Sequence, residues 1–116
     1  MPLWFIRGLR RGVVTTRYPA RTEESARFLP TPPAFRPHVL TSQTADLLVA
    51  ICPSGALRRG GDAGDGDVLR YDVGRCTACG RCAAAAPHAV TSSGVWELAA
   101  TDRSVLIKKI PIGGES

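Results

Sequence analysis

The chain has 116 residues, room for one compact domain with arms and too little for a multidomain enzyme. It is 44% hydrophobic but only 6% aromatic, with 12 Gly and 9 Pro, so bulky core material is scarce and a staple is expected. No apolar run reaches the roughly 18 to 20 residues that cross a bilayer. Arg7, Arg10 and Arg11 break up the apolar core that a secretory signal would need. The expectation is a reducing, cytoplasmic setting, where thiolates hold metal more often than they form disulfides.

The formal charge of +5 is unevenly spread. Residues 1–37 carry seven arginines against Glu23 and Glu24, whereas residues 38–116 hold eight basic and eight acidic side chains and are neutral. The basic excess therefore belongs to the N-terminal arm, which suits anionic lipid or an acidic protein face. Tyr18, Phe28 and Phe35 are too dispersed to form a stacking platform, so nucleic acid is not an expected partner.

From Leu3 to Val14 the pattern predicts a short amphipathic helix, with Phe5, Ile6, Leu9 and Val13 on one side and Arg7, Arg10 and Arg11 on another. Such a helix can lie on a lipid surface, on a partner subunit or on the protein's own body. Tyr18-Pro19 should stop it. Pro30, Pro32, Pro33 and Pro37 then predict an extended strap up to His38. A buried helix is expected from Thr44 to Cys52, ended by Pro53. Residues 60–67, rich in Gly and Asp, read as a solvated turn, too far from a calcium loop to bind metal. Val68–Val73 reads as a strand, residues 90–99 as a pair of strands, and the chain beyond Lys109 as a loose tail. His38 and His88 have no partner at ligand spacing and read as structural or solvent-facing.

The cysteines carry the chemical signal. Cys76-x2-Cys79-x2-Cys82 puts three thiolates on one tight loop, and Cys52, followed by Pro53, is the remaining cysteine. In bacterial two-cluster ferredoxins each C-x2-C-x2-C-x3-C-P run gives its fourth cysteine to the other cluster. At an offset of 34 residues the chain repeats this frame: Ser42, Ala45 and Leu48 stand in register with Cys76, Cys79 and Cys82, and Cys52-Pro53 stands in register with Ala86-Pro87. Under the crossed rule one ligand set, residues 42, 45, 48 and 86, has lost every cysteine, and the other, Cys52, Cys76, Cys79 and Cys82, has kept every one. Random placement of four cysteines over eight positions separates the sets this cleanly in about 3% of cases. Ala45, Leu48 and Ala86, with Val49 and Val90, should fill the lost site with hydrocarbon. Thiolates suit both iron-sulfur clusters and zinc. Zinc sites usually present two separated C-x2-C pairs, so the triple plus a distant Cys-Pro favours one [4Fe-4S] cluster, with zinc or a three-iron form as the rival.

Gly8-Leu9-Arg10-Arg11-Gly12-Val13-Val14-Thr15-Thr16-Arg17-Tyr18-Pro19 and Gly74-Arg75-Cys76-Thr77-Ala78-Cys79-Gly80-Arg81-Cys82 resemble the ferredoxin-like iron-sulfur subunit of membrane-bound NiFe hydrogenase and formate hydrogenlyase complexes, related to subunit I of respiratory complex I. The resemblance covers roughly residues 5 to 100. It implies an α+β, bacterial ferredoxin-like pseudo-twofold domain at residues 38–100, after an anchoring helix at 1–18 and a strap at 19–37, and before a tail at 101–116. It also implies an electron-transfer subunit at the cytoplasmic face of the cell membrane, held among hydrogenase-like large, small and membrane subunits. This chain departs from the family pattern in keeping one cluster site of two. No nucleophile-base pair, phosphate loop or carboxylate dyad is present, so any bond chemistry would belong to the assembly. The alternatives are a structural adaptor whose cluster or zinc only stabilises the fold, and a free soluble ferredoxin. Arg75 and Arg81, flanking the ligand loop, would raise the cluster's potential if they lie near it.

Overall fold

The computed structural model describes residues 2–12, 15, 17, 19–21, 29–60, 63–64 and 66–113. Helix α1 spans Leu3–Arg11, followed in order by β1 (Pro33–Phe35), α2 (Ser42–Ile51), β2 (Leu57–Arg59), β3 (Val68–Asp72), α3 (Arg81–Ala85), β4 (Val90–Ser92) and β5 (Ile107–Pro111). Single 3-10 turns occupy Pro37–Val39, Val73–Arg75 and Arg103–Leu106. The class is α+β: β1 and β4 form one antiparallel pair, and β2-β3-β5 form an antiparallel sheet with β3 at its centre.

Local chemistry sets the boundaries. Thr41 Oγ1 accepts a hydrogen bond from the Thr44 amide at 3.2 Å, so α2 starts at Ser42, two residues before the expected position. At the other end Pro53 forces the residue before it out of helical geometry. Cys52 is accordingly extended, at φ −71° and ψ 109°, and lies just outside the helix. Gly12, at φ 64°, ends α1 at Arg11, short of the expected Val14; Val13, Val14 and Tyr18 lie outside the described residues, as do 22–28 of the strap.

Within the strap, Pro33–Phe35 is extended, as expected of it, and pairs with β4, Ala34 facing Thr91. Two expectations are corrected. Of the two strands expected in residues 90–99 only Val90–Ser92 forms; Gly94, at φ 69°, turns the chain out of the sheet. Just beyond Lys109 the described chain is not loose, since Ile107–Pro111 adds to the open edge of β3 and brings Ile110 opposite Leu69. Backbone hydrogen bonds and one buried isoleucine hold it there, and neither is visible in a local hydrophobicity pattern. Leu57–Arg59, a strand with two arginines, was not anticipated; its pairing with β3 decides it.

The core is one cluster built from Leu40, Ala45, Leu48, Ala56, Leu57, Leu69, Tyr71, Ala86, Ala89, Val90 and Ile110. Ala45, Leu48 and Ala86, three of the four positions in register with the cysteines, are fully buried in it, Val90 joins them, and Val49 packs on its edge. Ser42, the fourth, is exposed and donates to Asp67 Oδ2 at 2.9 Å. Helix α1 stands apart: none of its residues is buried, and Leu3, Trp4 and Leu9 are each more than two-thirds exposed. None of its apolar residues is among the described residues of the core cluster.

Leu47 and Leu48, adjacent on α2, separate core from surface. Leu48→Ala should cost about 2–5 kcal/mol in urea unfolding of the metal-free chain, through a cavity that the fold cannot close. Leu47→Ala, at a half-exposed side chain, should change stability by no more than about 0.5 kcal/mol.

Candidate metal centre

The pre-proline kink places Cys52 at the C-terminal end of α2, and the chain turns through Gly55, at φ 63°, into β2. On β3 the partner of Leu57 is Tyr71, and the Asp72 amide donates to the Ala56 carbonyl at 2.8 Å. Beyond that pairing the 3-10 turn Val73–Arg75 delivers Cys76. Ala78 and Gly80 then take positive φ, 52° and 76°, and wrap the loop so that Cys82 enters α3. A non-glycine residue at positive φ stores backbone strain of about 1 kcal/mol, which marks Ala78 as held in place by its surroundings.

Cys52, Cys76, Cys79 and Cys82 thereby wall one cavity of about 320 Å³. The four residues come from two segments that β2 and β3 hold side by side. Leu29, Pro30 and Pro33 of the strap, with Leu57 and Tyr71, line the rest. All four thiols are unbridged; Cys79 is exposed and the other three are half-buried. Among the described residues no three Cys, His, Asp or Glu side chains converge on a single-ion position. His38 and His88 are exposed and are not among the residues that line this cavity.

The donors fit a soft, thiolate-bound group. Burial would raise the Cys52 thiol, but the Ser54 hydroxyl, 3.6 Å from Sγ, and the amides of Leu57, Ala56 and Ser54 outweigh it and hold the thiol below its ordinary range. The Ala78 amide donates to Cys76 Sγ at 3.4 Å. Cys82 is pushed the other way, first by burial and then by the charges of Cys76 and Cys79, against the Ala83 amide and its own. Ionised together, these sulfurs would repel one another, and a bound cation or cluster would relieve that repulsion.

Tyr71, missed in the sequence, is 2% exposed, and its buried Oη makes no hydrogen bond. Leaving such a hydroxyl unsatisfied costs about 1–3 kcal/mol. Burial, and then the thiolates of Cys76, Cys82 and Cys52, push its phenol far above the ordinary value, so it stays protonated. Period-2 alternation in β3 could have shown that Tyr71 faces inward, but not what it faces. The two arginines part company: Arg81 lines the thiol cavity, whereas Arg75 turns to Asp72, 3.6 Å away, in a separate pocket with Arg58, Arg70 and Arg103.

Asp72 positions the loop. Its Oδ1 accepts from the Gly74 amide at 3.0 Å, capping the turn that leads into Cys76, while Oδ2 receives Arg103 at 2.9 Å. The Asp-x-Gly pattern is a legible turn signal that the sequence reading passed over. Asp72→Ala removes the cap and leaves two arginines without their carboxylate, so the metal-free chain should unfold at lower urea, by about 1–2 kcal/mol.

No protein-family model matches the chain, and neither does any curated protein.

Proposed function

We propose that this chain is an electron-transfer subunit that carries one [4Fe-4S] cluster on Cys52, Cys76, Cys79 and Cys82, in a ferredoxin-like domain, within a membrane-associated hydrogenase-like or complex I-like oxidoreductase. The observation that carries this reading is the shared cavity: four thiols from two segments, more than twenty residues apart in sequence, line one space, and three of the four positions in register with them, Ala45, Leu48 and Ala86, are buried in the core.

When bound, such a cluster supplies one-electron exchange at a potential set by its hydrogen bonds, local charge and solvent access. The chain's own residues do the rest. Ser54 and the amides around it lower the Cys52 thiol and so favour its ligating, ionised form. The Ala78 amide directs a proton at Cys76 Sγ, which lowers the electron density on that sulfur. Leu57 and Tyr71, both buried, keep water from the part of the wall they form. Cys79, exposed, marks the side on which a redox partner can come closest. Arg81, beside it, favours the more negative reduced state.

The full chain, reconstituted without oxygen, should bind about four irons and four sulfides and give a one-electron paramagnetic signal on reduction. Cys52→Ala should abolish that signal, while Ser42→Ala should load like the wild type. Zinc bound without sulfide would overturn the reading in favour of a structural adaptor.

Membrane association is part of the same proposal and is supported by α1. No helix among the described residues is long and apolar enough to cross a membrane. Phe5, Ile6 and Leu9 form an uncovered apolar stripe, with Arg7, Arg10 and Arg11 on the other side and Trp4 between. That arrangement suits acyl chains below and phosphates beside the helix, at the cytoplasmic face where the hydrogenase-like subunits would assemble. The chain should co-sediment with vesicles containing anionic phosphatidylglycerol, more weakly as salt rises. Leu9→Glu should reduce this binding about tenfold or more and leave iron content unchanged.

A further inference from the structure

Resting on the cluster reading above, we propose that Tyr71 Oη donates a hydrogen bond to the thiolate sulfur of Cys76 in the loaded protein, making Tyr71 a positioning residue that raises the reduction potential of the centre.

The ring has almost no freedom. Tyr71 is 2% exposed, its strand neighbours are Leu57 and Lys108, and Phe35 holds it edge-on with ring centroids 5.1 Å apart at 62°. Only the hydroxyl hydrogen can rotate. Tyr71 lines the thiol cavity, and its buried hydroxyl makes no hydrogen bond. A buried donor in a folded protein ordinarily has an acceptor, and this one has sulfur for neighbours. Of the thiols, Cys76 acts on it most strongly, followed by Cys82 and Cys52, although the contact with Cys76 falls short of hydrogen-bond geometry. A thiolate accepts better than a thiol, so ligation supplies the acceptor that the hydroxyl lacks.

The sign of the effect follows. A cluster gains negative charge on reduction, and part of it resides on the cysteine sulfurs. A donor aimed at one of them stabilises the reduced form more than the oxidised form, which raises the potential. No proton leaves Tyr71; the phenol remains a donor in both states. The Ala78 amide already donates to the same sulfur from 3.4 Å, so Cys76 would receive two donors.

Tyr71→Phe keeps the ring and deletes the donor. In the full chain loaded with iron and sulfide, the reduction equilibrium constant should fall about tenfold, which for one electron is about 59 mV to the negative. The metal-free variant should be as stable to urea as the metal-free wild type, or more so, because a buried hydroxyl without an acceptor has been removed. A merely structural role would lower the stability of both forms and leave the potential alone. Pulsed electron-nuclear resonance on the reduced centres supplies a second readout, since the wild type should show one exchangeable proton coupling that the variant lacks. Equal potentials and equal proton couplings in the two loaded proteins would overturn this assignment while leaving the cluster reading intact. A wild-type chain that takes up no iron and sulfide would overturn both.

Discussion

The pairing of Leu57 with Tyr71 is the constraint on which the site depends. Cys52 lies five residues before one member of that pair, and Cys76 five residues after the other. Clamping the two strands at this point brings the helix end and the ligand loop to a common space without any contact between the cysteines themselves. The register has no slack. Strand side chains alternate between faces, so a slip of one residue would turn Tyr71 and Leu69 outward and carry the loop away from Cys52. The Asp72 amide on the Ala56 carbonyl and the Asp72 carboxylate on Gly74 lock the pairing at its end nearest the thiols. Burial of Leu57, Leu69 and Ile110 on one face of the three-stranded sheet supplies the energy that holds it.

The two halves of the chain use equivalent positions for opposite ends. In one, the residues at three-residue spacing are thiols on a strained loop ahead of a short helix. In the other, Ala45 and Leu48 sit inside the longer α2 and are buried with Ala86 and Val90. A continuous helix can form there because nothing obliges the backbone to wrap around a ligand. The loop at Cys76–Gly80 cannot do the same while Ala78 and Gly80 hold positive φ.

Charge is organised by the fold in a way that counting hides. Residues 38–116 are neutral, yet strand pairing aligns Arg58 with Arg70 and Arg70 with Lys109 across one face of the sheet, with Arg75 and Arg103 gathered around Asp72. Like charges in direct cross-strand register oppose the pairing by a few tenths of a kcal/mol each. The apolar side of the sheet overcomes this, and the cost is met in a layer that the thiol cavity does not touch. Helix α1, with its own arginines, adds nothing to the core and is free to meet another surface.

Sequence alone determined which residues are chemically able to form the site, because thiol spacing, the Cys-Pro and Ala-Pro pair and the 34-residue repeat are local patterns that survive without coordinates. It also placed α2 and β3 to within two residues, since capping and apolar periodicity act over one or two turns. Tertiary structure alone decided that β5 belongs to the sheet and that β1 pairs with β4, because strand partners lie some forty to sixty residues away and hydrogen-bond through backbone atoms common to every residue. It alone turned Arg75 away from the thiols while leaving Arg81 beside them. It alone brought Tyr71 to the cavity wall, for what a strand residue faces depends on the element packed across from it, which no neighbour in the chain encodes.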